Sequence, residues 1–427
     1  MDMTLPPALH PIGKLSIPVP QKLFLGNQLP VHVVKAGDQE VLKIEFLFRA
    51  GRKQESARAV AVTTAHMLKE GTHRHGSFEI SSTFDFYGAT CTISAGVENS
   101  SCTLFTLKKH LPDLLPLLRE LFTESVFPER ELETYIQNSK QKLLVSREKV
   151  EYLAHKKLLE TLYGEHHYLS YHTAESDFDQ LNPALLREFC RQCYSGSHCE
   201  IIVSGKTDDA VVSLLDRYFG GKDWLAIDHI TRALPVVPEV FEPNYFVEKK
   251  DAVQSALRMG KHFINRLHPD WNGLKFLNTL LGGYFGSRLM SNLREDKGYC
   301  YGIHSGMASF SDHGYFYIAS EVGSEVTSQA VNEIFREINR LRNEPVPEEE
   351  MNLVRNYLTG VLLADLDGPF NLSEIIKNYV MYRMDYHLFE EQVETIRSIS
   401  SSQIQELANA YLQPDTLVTV VCGAQPL

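Results

Sequence analysis

Residues 184–205, ALLREFCRQCYSGSHCEIIVSG, and residues 402–423, SQIQELANAYLQPDTLVTVVCG, decide the fold when set side by side. Each reads as an amphipathic helix, a short polar turn, and a strand of apolar residues ending in glycine. The copies lie 218 positions apart and their apolar positions coincide: Leu186 with Ile404, Phe189 with Leu407, Ile202 with Val420, Val203 with Val421, Gly205 with Gly423. Upstream, Phe127-Pro128-Glu129-Arg130-Glu131-Leu132 matches Val346-Pro347-Glu348-Glu349-Glu350-Met351 at an offset of 219. Both carry proline where a helix enters, and acids that suit the positive end of its dipole. Ile93-Ser94-Ala95-Gly96 matches Ile303-His304-Ser305-Gly306 at an offset of 210. Three matches in one order, at nearly constant spacing, predict a duplicated domain of about 200 residues. A solenoid would need many copies of about 20–50 residues.

Within the first copy, Val41–Phe48 is rich in strand formers, and Ala57–Lys69 has a helical pattern closed by Gly71. Residues 90–106 alternate like a hairpin, and 110–122 and 129–147 return to helical period. This order predicts an α+β protein of two homologous domains, each an antiparallel-rich sheet packed with helices, and not a doubly wound parallel sheet. The expected division is residues 1–215, a linker over 216–245, and residues 246–427. The linker contains DHITRALPVVPEVFEPNYF, which has three prolines and little helical period.

Across 427 residues, 42 Lys and Arg face 54 Asp and Glu, a net charge of −12. That balance argues against nucleic-acid binding, which needs a basic face, and gives no support to anionic membranes. Seven cysteines are too few for a disulfide scaffold, and their odd number fits a reducing compartment. The start, Met1 to Pro7, has no basic region leading into an apolar run, so no secretory signal is expected. No stretch approaches the roughly 18 apolar residues of a membrane span. A cytoplasmic protein is expected.

The segment LLGGYFGSRLMSNLREDKGYCYGIHSG, residues 280–306, set in the duplicated α+β frame, resembles the pitrilysin/insulinase family of inverted-motif zinc peptidases. That family includes mitochondrial processing peptidase. The resemblance runs from Val41 to Gly423, and implies two related domains closing as a clam shell around a peptide, with zinc on the first. The zinc motif of the family is His-x-x-Glu-His on a helix, both imidazoles on one face and the Glu acting as base toward zinc-bound water. Here the matching context is Val62-Thr63-Thr64-Ala65-His66-Met67-Leu68, with Gly71-Thr72 beyond. Val62 stands at the first His, Ala65 at the base and His66 at the second His. A third ligand should come from the helix about 75 residues on; Glu131 and Glu133 are there, but Tyr135 takes the matching place. No metal is therefore expected on this chain, His66 being the remnant of the motif, and the chain should not cleave peptides alone.

The resemblance also implies an Arg and a Tyr seven residues apart, across the chamber from zinc. Arg294 and Tyr301 stand at that spacing. A guanidinium can hold a peptide carbonyl, and a phenol can donate to the oxyanion of a tetrahedral intermediate. The expected catalytic residues are thus Arg294 and Tyr301, acting within a heteromeric peptidase. An HxxEH-bearing homologous subunit would supply the zinc, with a homodimer as the other possible assembly. Substrates would be peptides or small unfolded proteins. Two alternatives stand beside this reading: a non-enzymatic peptide-binding or assembly protein, and an active peptidase with an unusual metal site, for which His66, His73 and His75 are the candidates.

Other groupings read as structural. Cys190-x-x-Cys193 with His198 and Cys199 lacks a second pair, and Cys193 and Cys199 match Tyr411 and Leu417 of the other copy. Glu165-His166-His167 suggests packing or a surface loop. Gly282-Gly283 lacks the Lys-Ser/Thr of a phosphate loop and reads as a tight backbone passage.

Overall fold

The computed structural model describes residues 15–225, 237 and 242–426. The first half builds a six-stranded sheet from β1 (Gln21–Phe24), β2 (Pro30–Lys35), β3 (Val41–Phe48), β4 (Thr90–Ala95), β5 (Ser100–Leu107) and β6 (Cys199–Gly205). Its order is β1-β2-β6-β3-β5-β4. The second half builds a five-stranded sheet from β7 (Asn244–Glu248), β8 (Gln254–Phe263), β9 (Cys300–Ser309), β10 (Gly314–Gly323) and β11 (Val418–Gly423), in the order β7-β11-β8-β10-β9. With β1 set aside, the two orders are the same strand for strand. Each sheet has one parallel pair, β2 with β6 and β7 with β11, and its other neighbours run antiparallel. A parallel pair needs a long crossover. Here the helices of an entire half supply it.

The three sequence matches fall on equivalent elements. Helix Pro183–Cys193 leads into β6, and helix Ser401–Tyr411 leads into β11. Pro128 and Pro347 are the N-caps of helices Glu129–Arg147 and Glu348–Asp365, both with glutamates in the first turn. Ile93 lies in β4 and Ile303 in β9, equivalent edge strands of the two sheets. The predicted strand is β3 itself, and the helix expected over 57–69 is Val60–Met67. Of the stretch expected as the linker, residues 226–236 and 238–241 lie outside the described residues.

Why the halves hold together can be read from β3. Leu42, Ile44, Phe46 and Phe48 alternate into the first core, while Leu47 joins the second core with Val34 and Ile202. Both faces of the first sheet are therefore covered. Helix Gly368–Tyr382, from the second half, lies over β6 and β2. In return, helix Val150–Tyr163 of the first half lies over β8 and β11, where Leu158 and Leu162 pack with Val420 and Cys422. Tyr163 donates its hydroxyl to the Gly314 carbonyl at 2.9 Å.

Beneath helix Gly368–Tyr382, Lys43 and Glu45 are buried as a charged pair at 2.8 Å. Lys377 reaches the other Glu45 oxygen at 3.0 Å, and Lys43 also meets Ser373 and Glu374. Buried charges persist when paired in this way. At the far end, the backbone N–H of Ser311 donates to the Glu98 carboxylate at 2.9 Å, joining the β9–β10 and β4–β5 turns. No described helix is long and apolar enough to cross a membrane.

Candidate functional site

Helix Val60–Met67 directly follows the first sheet's central region and presents Val62 and His66 one turn apart on one face. Val62 is 43% exposed, His66 is half-exposed, and Ala65 is buried. Nε2 of His66 is 3.9 Å from Oε1 of Glu70, and burial lowers the imidazole's pKa below its ordinary value. Its ring lies on the ring of Tyr135, with centroids 4.5 Å apart and planes 31° apart. Tyr135 belongs to helix Glu129–Arg147, so the residue matched to the third ligand does meet His66.

A catalytic zinc wants three N or O donors with one position left open. This face offers an isopropyl group, one imidazole and the face of a phenol ring. The residues do not fit the metal. His75 is engaged elsewhere, with Nδ1 2.9 Å from Oε1 of Glu120, while His73 donates its backbone N–H to Glu124. Among the described residues, no group of three His, Cys, Asp or Glu is placed to hold a metal ion.

The second half assembles a different cluster. Met290–Asp296 is a π-helical turn that includes Arg294. Such turns are frequent at functional sites because the extra residue re-aims a side chain. The chain then reverses at Gly298, whose φ of +65° suits glycine, with its N–H donating to the Arg294 carbonyl at 3.2 Å. Strand β9 starts two residues later, and this brings Tyr301 back over Arg294. The guanidinium carbon is 5.3 Å from the Tyr301 ring centroid and 4.7 Å from that of Phe285. Both are cation–π distances. Arg294 also pairs with Glu295 at 3.3 Å.

Tyr301 is 89% exposed and Phe285 is 62% exposed, so neither ring serves a core. The structure thus brings Arg294 and Tyr301 together. His66 stays in the other half with its own partners. Phe285 was not singled out in sequence, although it lies inside the segment that carries the resemblance; an aromatic beside two glycines gave no periodic signal.

The remaining groupings are structural. None of the seven cysteines is in a disulfide, and Cys190, Cys193 and Cys199 are buried. Burial pushes the Cys190 thiol up to about 12. His167 is buried against Tyr163, Tyr168 and His313, whereas Glu165 and His166 are exposed. Gly282 is a close passage: a Cβ there would sit 2.7 Å from the Ser305 backbone nitrogen.

Comparison with known proteins follows these two halves. Residues 42–175 match Insulinase (Peptidase family M16), and residues 180–358 match the Peptidase M16 inactive domain. The chain is 23% identical to the "Uncharacterized zinc protease YmxG" of Bacillus subtilis, over 83% of this chain and 86% of that one. It is 22% identical to the "Probable inactive metalloprotease YmfF" of the same organism, over 91% and 94%. Among solved structures, the peptidase M16 inactive domain from Pseudomonas fluorescens matches with a TM-score of 0.85 at 21% identity, covering 95% of this chain and 98% of that one. A chain of complex III from Candida albicans matches with a TM-score of 0.72 at 14% identity, covering 95% and 96%. At these identities the structural likeness shows the fold. With both halves matched in order, the chain belongs to peptidase family M16, the insulinase family of zinc proteases.

Proposed function

We propose that this chain is the metal-free subunit of a two-subunit peptidase. In this reading, Arg294 and Tyr301 face the zinc of a homologous partner that carries an intact His-x-x-Glu-His. The observation that carries it is the exposed Tyr301 ring set over a half-buried Arg294, against a His66 face that cannot hold zinc. Arg294 would hold a carbonyl of an extended peptide, and the Tyr301 hydroxyl would donate to the oxyanion formed when the partner's zinc-bound water attacks. The peptide would add as a strand beside an edge, so main-chain hydrogen bonds bind it and sequence preference stays loose. Strand β9, which carries Tyr301, is such an edge. Substrates are peptides or small unfolded proteins in a reducing, cytoplasmic setting.

The test is to purify the chain alone and mixed with an HxxEH-bearing family member, and to follow cleavage of a quenched fluorescent peptide. Cleavage is expected in the mixture and not with this chain alone. If Arg294→Ala and Tyr301→Phe leave the complex fully active, the reading fails. A peptide-binding or assembly role without catalysis is then the one to pursue.

A further inference from the structure

We infer that the second half holds a binding site for a small zwitterion with an apolar body, in chemical terms a free α-amino acid with a large apolar side chain. The site is a cavity of about 650 Å³ between helix Trp271–Asn278 and helices Glu348–Asp365, Gly368–Tyr382 and His387–Ser398. Small-molecule pockets commonly span about 300–1,000 Å³. Trp271, Tyr379, Leu388 and Phe389 form its apolar wall.

Two charges line this cavity and, among the described residues, neither is in an ion pair. Lys275 is mostly withdrawn from solvent, and its ammonium makes no ion pair or hydrogen bond with any described residue. Burial lowers its pKa, and the only opposite charge acting on it is Asp365. Asp365 lines the same cavity from the exposed end of its helix and is likewise in no ion pair. The two attract each other across the cavity but do not approach within ion-pair distance. An ammonium mostly withdrawn from water and without a counter-ion costs folding free energy, which a bound carboxylate would offset.

A third group points the same way. Oδ1 of Asn278 is buried with no donor, while its Nδ2 donates to the Ser305 carbonyl at 3.3 Å. Among the described residues the cavity therefore offers no acceptor to Lys275 and no donor to Asn278 Oδ1, while Asp365 stands exposed at its rim as a counter-charge for a cation. A carboxylate and an ammonium on one ligand satisfy both needs.

The other charges along the wall are already engaged. Arg266 stacks over Tyr382 at 4.1 Å and donates to Asn378. Glu391 pairs with His387 at 3.2 Å, and His268 faces Asp270 at 3.9 Å. A monocarboxylate would meet Lys275 but leave Asn278 Oδ1 without a donor and Asp365 without a counter-charge. An amine alone would leave Lys275 uncompensated. This site is independent of the reading given to Arg294 and Tyr301.

Titration calorimetry on the full chain tests it, with L-phenylalanine and L-leucine as probes. The controls are 3-phenylpropanoate, phenethylamine and glycine, which lack the ammonium, the carboxylate and the apolar body respectively. The two amino acids are expected to bind at millimolar concentration or tighter, with each control weaker by at least about tenfold. Lys275→Met and Asp365→Asn should each weaken L-phenylalanine binding by about tenfold or more. Lys275→Met should leave the denaturation midpoint unchanged or raised, because it removes an unpaired buried ammonium; this separates lost binding from lost folding. The inference is overturned if neither amino acid binds at millimolar concentration, if 3-phenylpropanoate binds as well as L-phenylalanine, or if Lys275→Met leaves affinity unchanged.

Discussion

Adding donors to the His66 face tests whether the residues now there are too few to hold zinc. Val62→His places a second imidazole one turn from His66 on the same face, and Val62 is 43% exposed, so the exchange should cost no more than about 0.5 kcal/mol. Tyr135→Glu brings a carboxylate to the position now stacked 4.5 Å from His66, at the loss of a ring contact of about 0.5–1.5 kcal/mol. Without metal the double variant should therefore lose about 1–2 kcal/mol. With zinc at a hundred times its Kd it should gain about 2.7 kcal/mol, enough to reverse the loss. The assay is zinc content after dialysis, with urea unfolding in the presence of zinc and of chelator. One zinc per chain is expected in the double variant and none in the native chain. Neither should cleave peptide, because Ala65 offers no base. Zinc held at one per chain by the native protein, or no zinc in the double variant, would refute the reasoning.

Three further outcomes are expected. Tyr301→Phe removes a hydroxyl from a ring that is 89% exposed, so stability should stay within about 0.5 kcal/mol, while kcat of the complex with an HxxEH partner should fall about 10²–10³-fold. Glu45→Ala removes one of the two carboxylates that Lys43 and Lys377 share, leaving Glu374 to hold both, and should lower the unfolding free energy by about 1.5–3 kcal/mol in denaturant titration. Burial lowers the imidazole of His167 from 6.5 to about 4, so the unfolded chain binds more protons between those values. Stability from this residue is then fully present above pH 6.5 and lost as pH falls through about 4; His167→Gln should flatten the urea midpoint over that window.

Much of the fold was legible because duplication doubles each signal. Pro128 and Pro347 mark equivalent helix entries, and Gly205 and Gly423 end equivalent strands. Local periodicity also placed β3 residue for residue. The parallel pairing of β2 with β6 and of β7 with β11 was not legible, since hydrophobic alternation says which face a strand buries and not which strand lies beside it. Lys43 and Glu45 alternate with the apolar residues of β3, yet both are buried, because helix Gly368–Tyr382, more than 300 residues away, covers them. Phe285 and Lys275 were missed for the same reason, because their partners come from distant segments.

By itself the sequence determined the residue chemistry: two α+β copies, a lone His66 where the resemblance implies two imidazoles, and Arg294 and Tyr301 seven residues apart. Those are facts of identity and short-range period, which a chain carries whatever its fold. The tertiary structure alone decided what stands against what. It set Tyr135 on His66, folded Tyr301 back over Arg294 at Gly298, exchanged one helix between the halves in each direction, and placed Lys275 and Asp365 on the wall of one cavity. The physical reason is that burial and charge act through space, so the state of a lysine or a tyrosine depends on neighbours that the linear order does not name.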